Sequence, residues 1–381
     1  MTWRTVALGE HVASRTGSVI PSNFPDEEFE LYSIPAHDAG GPEFTQGVEI
    51  GSAKQNVQPG DVLLAKIIPH IRRVRVVGES SGRRQVASGE WIIFRTGDYE
   101  PNYLRHFLLS DRFHVQFMNT VAGVGGSLVR ARPEFVKKIQ APLPPLDEQR
   151  RIAAILDQAD AIRTQFLKKL ARVEELRRMT ITSLLDRHQD AHSSPLAEHL
   201  GFLTSGSRGW ARYYAPSGDP FLRIQNVRGA RIWLDDVAFV APPLTAEARR
   251  TRTQPGDVLL SITADLGRTA VIPEWLGSAY ISQHLAILRT ETINPYFLAY
   301  YLESPQGKRL LMQRNRGSSK AGLNFNDVRS VMVPAIPMAT QKLFAEQMKK
   351  ANHVEERMQT ALSSTDSLFA SLQTRAFKGE L

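Results

Sequence analysis

Arginine, lysine and histidine crowd one stretch of this chain in a way that suits the neutralisation of a polyanion. Lys66, His70, Arg72, Arg73, Arg75, Arg83 and Arg84 fall close together, with Glu79 the only acid between them. Arg249, Arg250, Arg252 and Arg268 flank a second glycine turn, and Arg314, Arg316, Ser318 and Lys320 surround a third at Gly317. Such groups anchor phosphates, while Asn226, Gln283, His284 and Arg268 carry hydrogen-bonding groups expected to reach base edges. Ser127, after Gly125-Gly126, and Ser318, after Gly317, mark turns in which backbone approaches a phosphate closely. The net charge of +8 agrees with a polyanionic partner.

Chemistry of the bond-breaking kind finds no constellation. The chain has no cysteine, which excludes disulfides, thiolates and Cys-based zinc sites. The histidines are scattered and never at metal-ligand spacing with carboxylates, so no metal site is expected. Gly123-Val124-Gly125-Gly126-Ser127 lacks the Lys-Ser/Thr ending of a phosphate loop and follows a helix, not a strand. Asp61 and Asp257 each follow a turn glycine and read as turn-capping groups. No catalytic residue is assigned.

The elements that carry these groups are of mixed type. Phe29–Ile34, Val62–Ile68, Val74–Val77 and Trp91–Phe94 are short apolar or alternating runs bounded by Gly, Pro, Asn and Asp, which predicts strands. A helical stripe of Tyr103, Leu104, Phe107, Leu108, Val115 and Met118 predicts one helix from Asn102 to about Asn119. Pro142-Leu143-Pro144-Pro145 then delivers the chain into a long helix ending near Asp186, with Asp147 as N-cap. Its apolar positions Ile152, Ile155, Ala159, Ile162, Phe166, Val173 and Leu176 recur like a coiled-coil seam. At about 1.5 Å per residue the helix spans roughly 60 Å, longer than a small domain is wide. Arg150, Arg151, Lys168, Arg172, Arg177 and Arg178 lie off that seam and are expected to be free for partners.

After a polar linker from His188 to Pro195 the pattern starts over. Pro59-Gly60-Asp61-Val62-Leu63-Leu64 returns as Pro255-Gly256-Asp257-Val258-Leu259-Leu260, and Ser88–Arg95 returns as Ser282–Arg289. Pro101 and Leu104 return as Pro295 and Leu298; Pro142, Pro145 and Gln149 return as Pro334, Pro337 and Gln341. Ordered matches with so little drift make the chain an internal duplication. A second long helix follows from about Met338 to Ala376, its stripe running through Phe344, Met348, Ala351, Val354, Met358, Ala361, Leu362, Thr365, Leu368 and Leu372.

The expected fold is α+β: globular domains at 1–141 and 188–333, alternating with spacer helices at 142–187 and 334–381 that pair antiparallel about a pseudo-twofold axis. A pair of basic domains at fixed spacing suits two DNA half-sites, and divergence outside the framework makes the target bipartite and asymmetric. No run approaches the roughly 18 apolar residues of a membrane span, and Met1-Thr2-Trp3-Arg4 does not begin a signal peptide, which predicts a cytoplasmic protein.

Leu143-Pro144-Pro145-Leu146-Asp147-Glu148-Gln149 leading into Ile152, and Arg375-Ala376-Phe377-Lys378-Gly379-Glu380-Leu381 at the end, resemble the specificity subunits of type I restriction–modification systems. The Gly-Asp-Val-Leu strands at 60–63 and 256–259 and the Gly-Ser turns at 126–127 and 317–318 fit the same pattern. The resemblance implies two target-recognition domains that each read half of a split double-stranded DNA site. It implies an antiparallel helical spacer that docks two modification (adenine methyltransferase) subunits, joined by restriction and translocase subunits in phage defence. S-adenosylmethionine, ATP and Mg then belong to those partners, and this chain binds no cofactor and catalyses nothing itself. Pro144, Pro145, Leu146, Glu148, Gln149, Pro337, Gln341 and Phe377 become the expected docking residues. The second proline turn, Val333-Pro334-Ala335-Ile336-Pro337-Met338-Ala339-Thr340-Gln341, departs from the motif, which makes unequal docking surfaces an expectation. A related defence assembly, and a coiled-coil scaffold without DNA binding, are the alternatives.

Overall fold

The structure, a computed structural model, describes residues 3–13, 16–95, 97–122, 129–314 and 322–381. The longer helices are α1 (Pro101–Leu109), α2 (Asp111–Met118), α3 (Leu146–Asp186), α4 (Pro295–Glu303), α5 (Pro305–Arg314) and α6 (Met338–Ala376). The chain forms two compact units, Met1–Leu167 with Thr360–Leu381 and Lys168–Gln359, so each unit takes part of α3 and part of α6. Among the described residues no helix is long and apolar enough to cross a membrane.

In the first unit the apolar run Val62–Ala65 is the centre of an antiparallel sheet, between Val74–Val76 and Trp91–Phe94. All four of its residues are buried, as expected of a strand covered on both faces. One face meets Tyr103, Leu104 and Phe107 of α1, Phe113 and Phe117 of α2, and Ile152 and Leu156 of α3. The other meets Tyr32, Val57 and Trp91. A five-stranded sheet runs in the order Ser18–Val19, Lys54–Asn56, Arg84–Ala87, Glu28–Tyr32, Glu43–Gln46. The single helix expected over 102–119 is two helices. Ser110 divides them because its hydroxyl donates to the Phe107 carbonyl (2.6 Å) and accepts the Phe113 N–H (3.2 Å), ending one helix and capping the next.

The second unit repeats this framework. Val258–Ser261 lies between Leu285–Thr290 and Thr269–Val271, and α4 and α5 are divided at Ser304 by the same pair of hydroxyl bonds. Gly60 and Gly256 both take positive φ, +84° and +87°, in the turn before the central strand, a conformation that costs glycine least. That turn presents Asp61 and Asp257. Each accepts the backbone N–H three residues earlier, and each forms a two-pronged ion pair, with Arg95 (2.8 and 2.6 Å) or Arg289 (2.7 and 2.8 Å). The aspartates are turn caps, as read from sequence, and also the buried partners of half-buried arginines.

Glutamines close each framework. Gln149 accepts the Glu100 N–H (2.8 Å) and donates to the Asp98 and Pro144 carbonyls (2.9 Å each). Gln341 accepts the Asn294 N–H (2.9 Å) and donates to the Ile336 carbonyl (2.7 Å). Both are buried, so each clamps a long helix to its own unit. The clamp survives the degenerate second proline turn because it uses backbone carbonyls, whatever the side chains. Gln149→Ala or Gln341→Ala is expected to cost about 2 kcal/mol, since buried backbone groups lose their partners. The urea midpoint should fall with an unchanged m value.

Within each unit the helix segments pair antiparallel. In the first, Arg151 donates to the Leu381 carbonyl (2.8 Å) while Arg163, farther along α3, meets Asp366 (2.6 Å). In the second, Arg177 meets Glu355, while Leu184 and Leu185 share a core with Phe344 and Met348. The expected apolar seam is interrupted. Ile152, Ala159, Phe344 and Met348 are buried, but Ile162, Leu176, Val354 and Leu368 are exposed, and ion pairs add to the contacts. Arg177, expected to be free, is 5% exposed because it turns inward to Glu355. The helix α3 begins at Leu146, so Asp147 sits in its first turn and not at the cap.

Candidate nucleic-acid interface

The basic stretch of the first unit folds into a very different electrostatic object from the one its sequence suggests. Arg73 is buried, and its guanidinium grips both oxygens of Asp38 at 2.7 Å. Those hydrogen bonds hold the Asp38 carboxyl below its ordinary range. Arg72 pairs with Asp111 (2.6 Å) and donates to the Leu109 carbonyl (3.0 Å). Arg75 donates to His37 Nδ1 (3.4 Å); burial first, and the Arg75 charge second, push the His37 pKa down and keep that nitrogen an acceptor. Arg83 pairs with Glu28 and lies over Phe44, while Arg84 pairs with Glu27 (3.0 Å) and lies over Phe24. Asp38, Asp111, Glu27 and Glu28 come from distant parts of the chain, so local sequence cannot reveal the neutralisation. Lys66 and His70 remain without a side-chain ion pair among the described residues.

The second unit divides its candidates similarly. Asn226 is buried; its side chain accepts the Arg223 N–H (3.0 Å) and donates to the Trp233 carbonyl (2.8 Å), which makes it a turn lock and not a base reader. Arg268 pairs with Asp265 three residues away. Arg250 is spent on Thr204, Ser205 and Ser207, and Arg252 on Ser278. Arg249 is exposed on the short helix Ala246–Arg250. Gln283 is half-buried, with its amide 2.9 Å from His284 Nε2. Beside it lie Trp210 and Tyr214, which the sequence reading missed. The signal was available: Arg208-Gly209-Trp210-Ala211-Arg212-Tyr213-Tyr214 interleaves arginines with aromatic rings, a pattern that suits bases and phosphates together. Ser127, Arg316, Ser318 and Lys320 lie outside the described residues.

A family model described as the type I restriction modification DNA specificity domain matches residues 2–175. Curated relatives agree. The Type I restriction enzyme EcoKI specificity subunit of Escherichia coli (strain K12) is 23% identical over 308 residues, 73% of this chain and 65% of that protein. The EcoBI specificity subunit of Escherichia coli is 23% identical over 170 residues, 43% of this chain and 36% of that protein. The matched stretches thus span between 36% and 65% of these two relatives' own lengths. Among solved structures, the type I restriction-modification system S subunit from M. genitalium aligns with a TM-score of 0.61 at 13% identity, covering 99% of this chain and 96% of that one. A chain from work on complex assembly and conformational transition of the type I R-M system aligns at 0.57 and 21% identity, covering 100% and 98%. Both likenesses are likenesses of fold.

The motif residues of this specificity fold divide into buried and exposed sets. Pro144 is buried, Gln149 and Gln341 are the internal clamps, and Phe377 is 3% exposed, packed on Tyr103 and Phe107. A docking role for Gln149, Gln341 and Phe377 is therefore replaced by a scaffolding one, because their side chains are spent inside their own units. Glu148 is held by Arg151 (2.8 Å), which keeps its carboxyl below the usual range. Pro145 and Leu146 at the start of α3, and Pro337 and Met338 at the start of α6, stay exposed.

Proposed function

We propose that this chain is the DNA-specificity subunit of a type I restriction–modification complex, non-catalytic itself. Its two target-recognition domains, residues 1–141 and 188–333, each read one half of a split, asymmetric double-stranded site. The helices at 142–187 and 334–381 form an antiparallel spacer that fixes the distance between the half-sites. Two adenine methyltransferase subunits dock on it, with Pro145, Leu146, Pro337 and Met338 in contact, and restriction subunits complete the assembly. S-adenosylmethionine, ATP and Mg act in those partners, in the cytoplasm.

The observation that carries this reading is the duplication itself. The turn, ion pair, helix division and glutamine clamp recur in both units, while the elements around them differ. A shared framework with divergent additions is what reading two different half-sites requires. Methylome sequencing of cells with and without the gene tests it: a split adenine-methylation motif should vanish with the gene and return with it.

The phosphate contacts are testable separately. Lys66→Ala and Arg249→Ala, in complex with the methyltransferase, should weaken binding to all sequences alike. Each should lower the slope of log affinity against log salt by about 0.9. Arg73→Ala should instead destabilise the first unit, since Arg73 serves Asp38.

A further inference from the structure

A cavity of about 370 Å³ opens in the second unit between the aromatic segment at 209–214 and the loop at 282–284. Trp210, 5% exposed, stacks on Phe221 with centroids 5.4 Å and planes 30° apart. Tyr214, half-exposed, stands edge-on to Phe221 at 5.5 Å. Arg223, Gln225, Ser282, Gln283 and His284 supply the polar lining, with Arg223 and Gln225 both tied to Asp236. His284 is oriented by Thr263, whose hydroxyl lies 2.6 Å from Nδ1, and its Nε2 faces the Gln283 amide at 2.9 Å. Ser282 is 5% exposed, and its hydroxyl has no hydrogen-bond partner among the described residues. A buried hydroxyl left unbonded is costly, and this one is shielded from water as well as from protein partners among the described residues.

The size and lining define that occupant. Small-molecule pockets run from roughly 300 to 1,000 Å³, so this one takes a single ring system and not a length of strand. Aromatic faces beside amide, imidazole and hydroxyl groups recognise a flat ring with donors and acceptors along its edge, which is the description of a nucleobase. A base still paired in a duplex cannot enter a cavity walled by Trp210 and the 282–284 loop; an unstacked base can. Among the described residues of the first unit no buried hydroxyl is left unbonded. At the corresponding position the Ser88 hydroxyl accepts the Glu90 N–H (3.1 Å), and the Glu90 carboxylate is taken by Arg130 (3.0 Å).

We propose that the cavity lined by Trp210, Tyr214, Ser282, Gln283 and His284 receives one nucleobase extruded from the half-site bound by the second unit, distinct from the adenine that is methylated. The proposal rests on the DNA-reading function above. Its test uses the full chain assembled with its methyltransferase subunits, on duplexes in which 2-aminopurine replaces one purine of the methylated motif at a time. Fluorescence should rise several-fold at one position besides the methylated adenine, which serves as the control for engagement. Tyr214→Ala should weaken binding about tenfold and remove that second signal, while Tyr214→Phe, which keeps the ring, retains both. A mismatch at the responding pair should recover most of the Tyr214→Ala loss, because the unpairing is already done. If the complex methylates its motif but only the methylated adenine responds, the cavity proposal is overturned and the DNA-reading function stands. If no specific binding or methylation occurs, the DNA-reading function fails and takes the cavity proposal with it. Quenching of Trp210 fluorescence by free adenosine or thymidine, with no second 2-aminopurine signal on DNA, would overturn extrusion in favour of a free-nucleoside site.

Discussion

Replacing Glu355 by alanine is expected to cost the second unit about 4 kcal/mol, because it leaves two buried guanidinium groups with only the exposed carboxylates of Glu174 and Glu356 as counter-charges. Glu355 lies on α6 and is 13% exposed at its side chain. Its carboxylate meets Arg177 of α3 and, at 2.7 Å, Arg231 of the strand Arg231–Ile232. The side chains of those arginines are only 5% and 11% exposed. Three elements are thus tied at a single carboxylate. A buried pair contributes little against a well-packed apolar substitute, but removing one partner alone strands charge in a low-dielectric site. Glu356, which meets Arg231 at 2.9 Å, is more than half exposed and compensates weakly. Arg177→Met combined with Glu355→Leu should therefore be far milder than Glu355→Ala alone. Chemical denaturation of the three proteins checks the ordering: a Glu355→Ala midpoint equal to that of the parent chain would remove this cluster from the account of how α3 and α6 hold the second unit.

Asp257→Ala should cost nearly as much, about 3 kcal/mol. The Asp257 side chain is fully buried, and it does two things at once. It accepts the Gln254 N–H (2.8 Å), which closes the glycine turn, and it holds Arg289 at two points. Without it the turn loses its cap while a guanidinium remains beside an empty site. Arg289 is 32% exposed at its side chain and can reach water, which places the effect below that of Glu355. Asp61→Ala should have the same consequence in the first unit, where the Arg95 side chain is likewise 32% exposed. Matched losses in the two units, read by thermal unfolding, are a test of the duplication at the level of energetics. A large loss in one and none in the other would mean that the shared geometry is not shared stabilisation.

Much of the framework is legible in the sequence because its signals are local. The runs Val62-Leu63-Leu64 and Val258-Leu259-Leu260, fed by Pro-Gly-Asp turns, form the central strands. The proline turns before Leu146 and Met338 place the starts of α3 and α6, and the ends near Asp186 and Ala376 follow from the polar linker and the closing motif. What local pattern misses is whatever depends on groups far apart in the chain. Ser110 looks tolerable inside a helix until both its hydroxyl bonds are seen. Arg72, Arg73, Arg83 and Arg84 look like a free basic patch until the fold brings up their acids. Arg177 looks like a solvated charge until Glu355 faces it across the helix pair. The cavity beside Gln283 needs Trp210 and Phe221, which only the sheet order Tyr214–Ala215, Ala238–Val240, Asp219–Leu222 brings together. Charged residues and aromatic rings are where sequence distance and spatial distance diverge most.

The central claim is that two duplicated units read two halves of one DNA site, and exchanging one unit's recognition loops is its most direct test. Residues 200–290 of this chain would be replaced by the corresponding segment of a relative, with the framework helices α3 and α6 kept. Methylome sequencing of cells carrying the hybrid should then show a split adenine motif in which one half is new, while the other half and the spacing are unchanged. A motif changed in both halves, or a methylation pattern identical to that of the parent chain, would contradict the account.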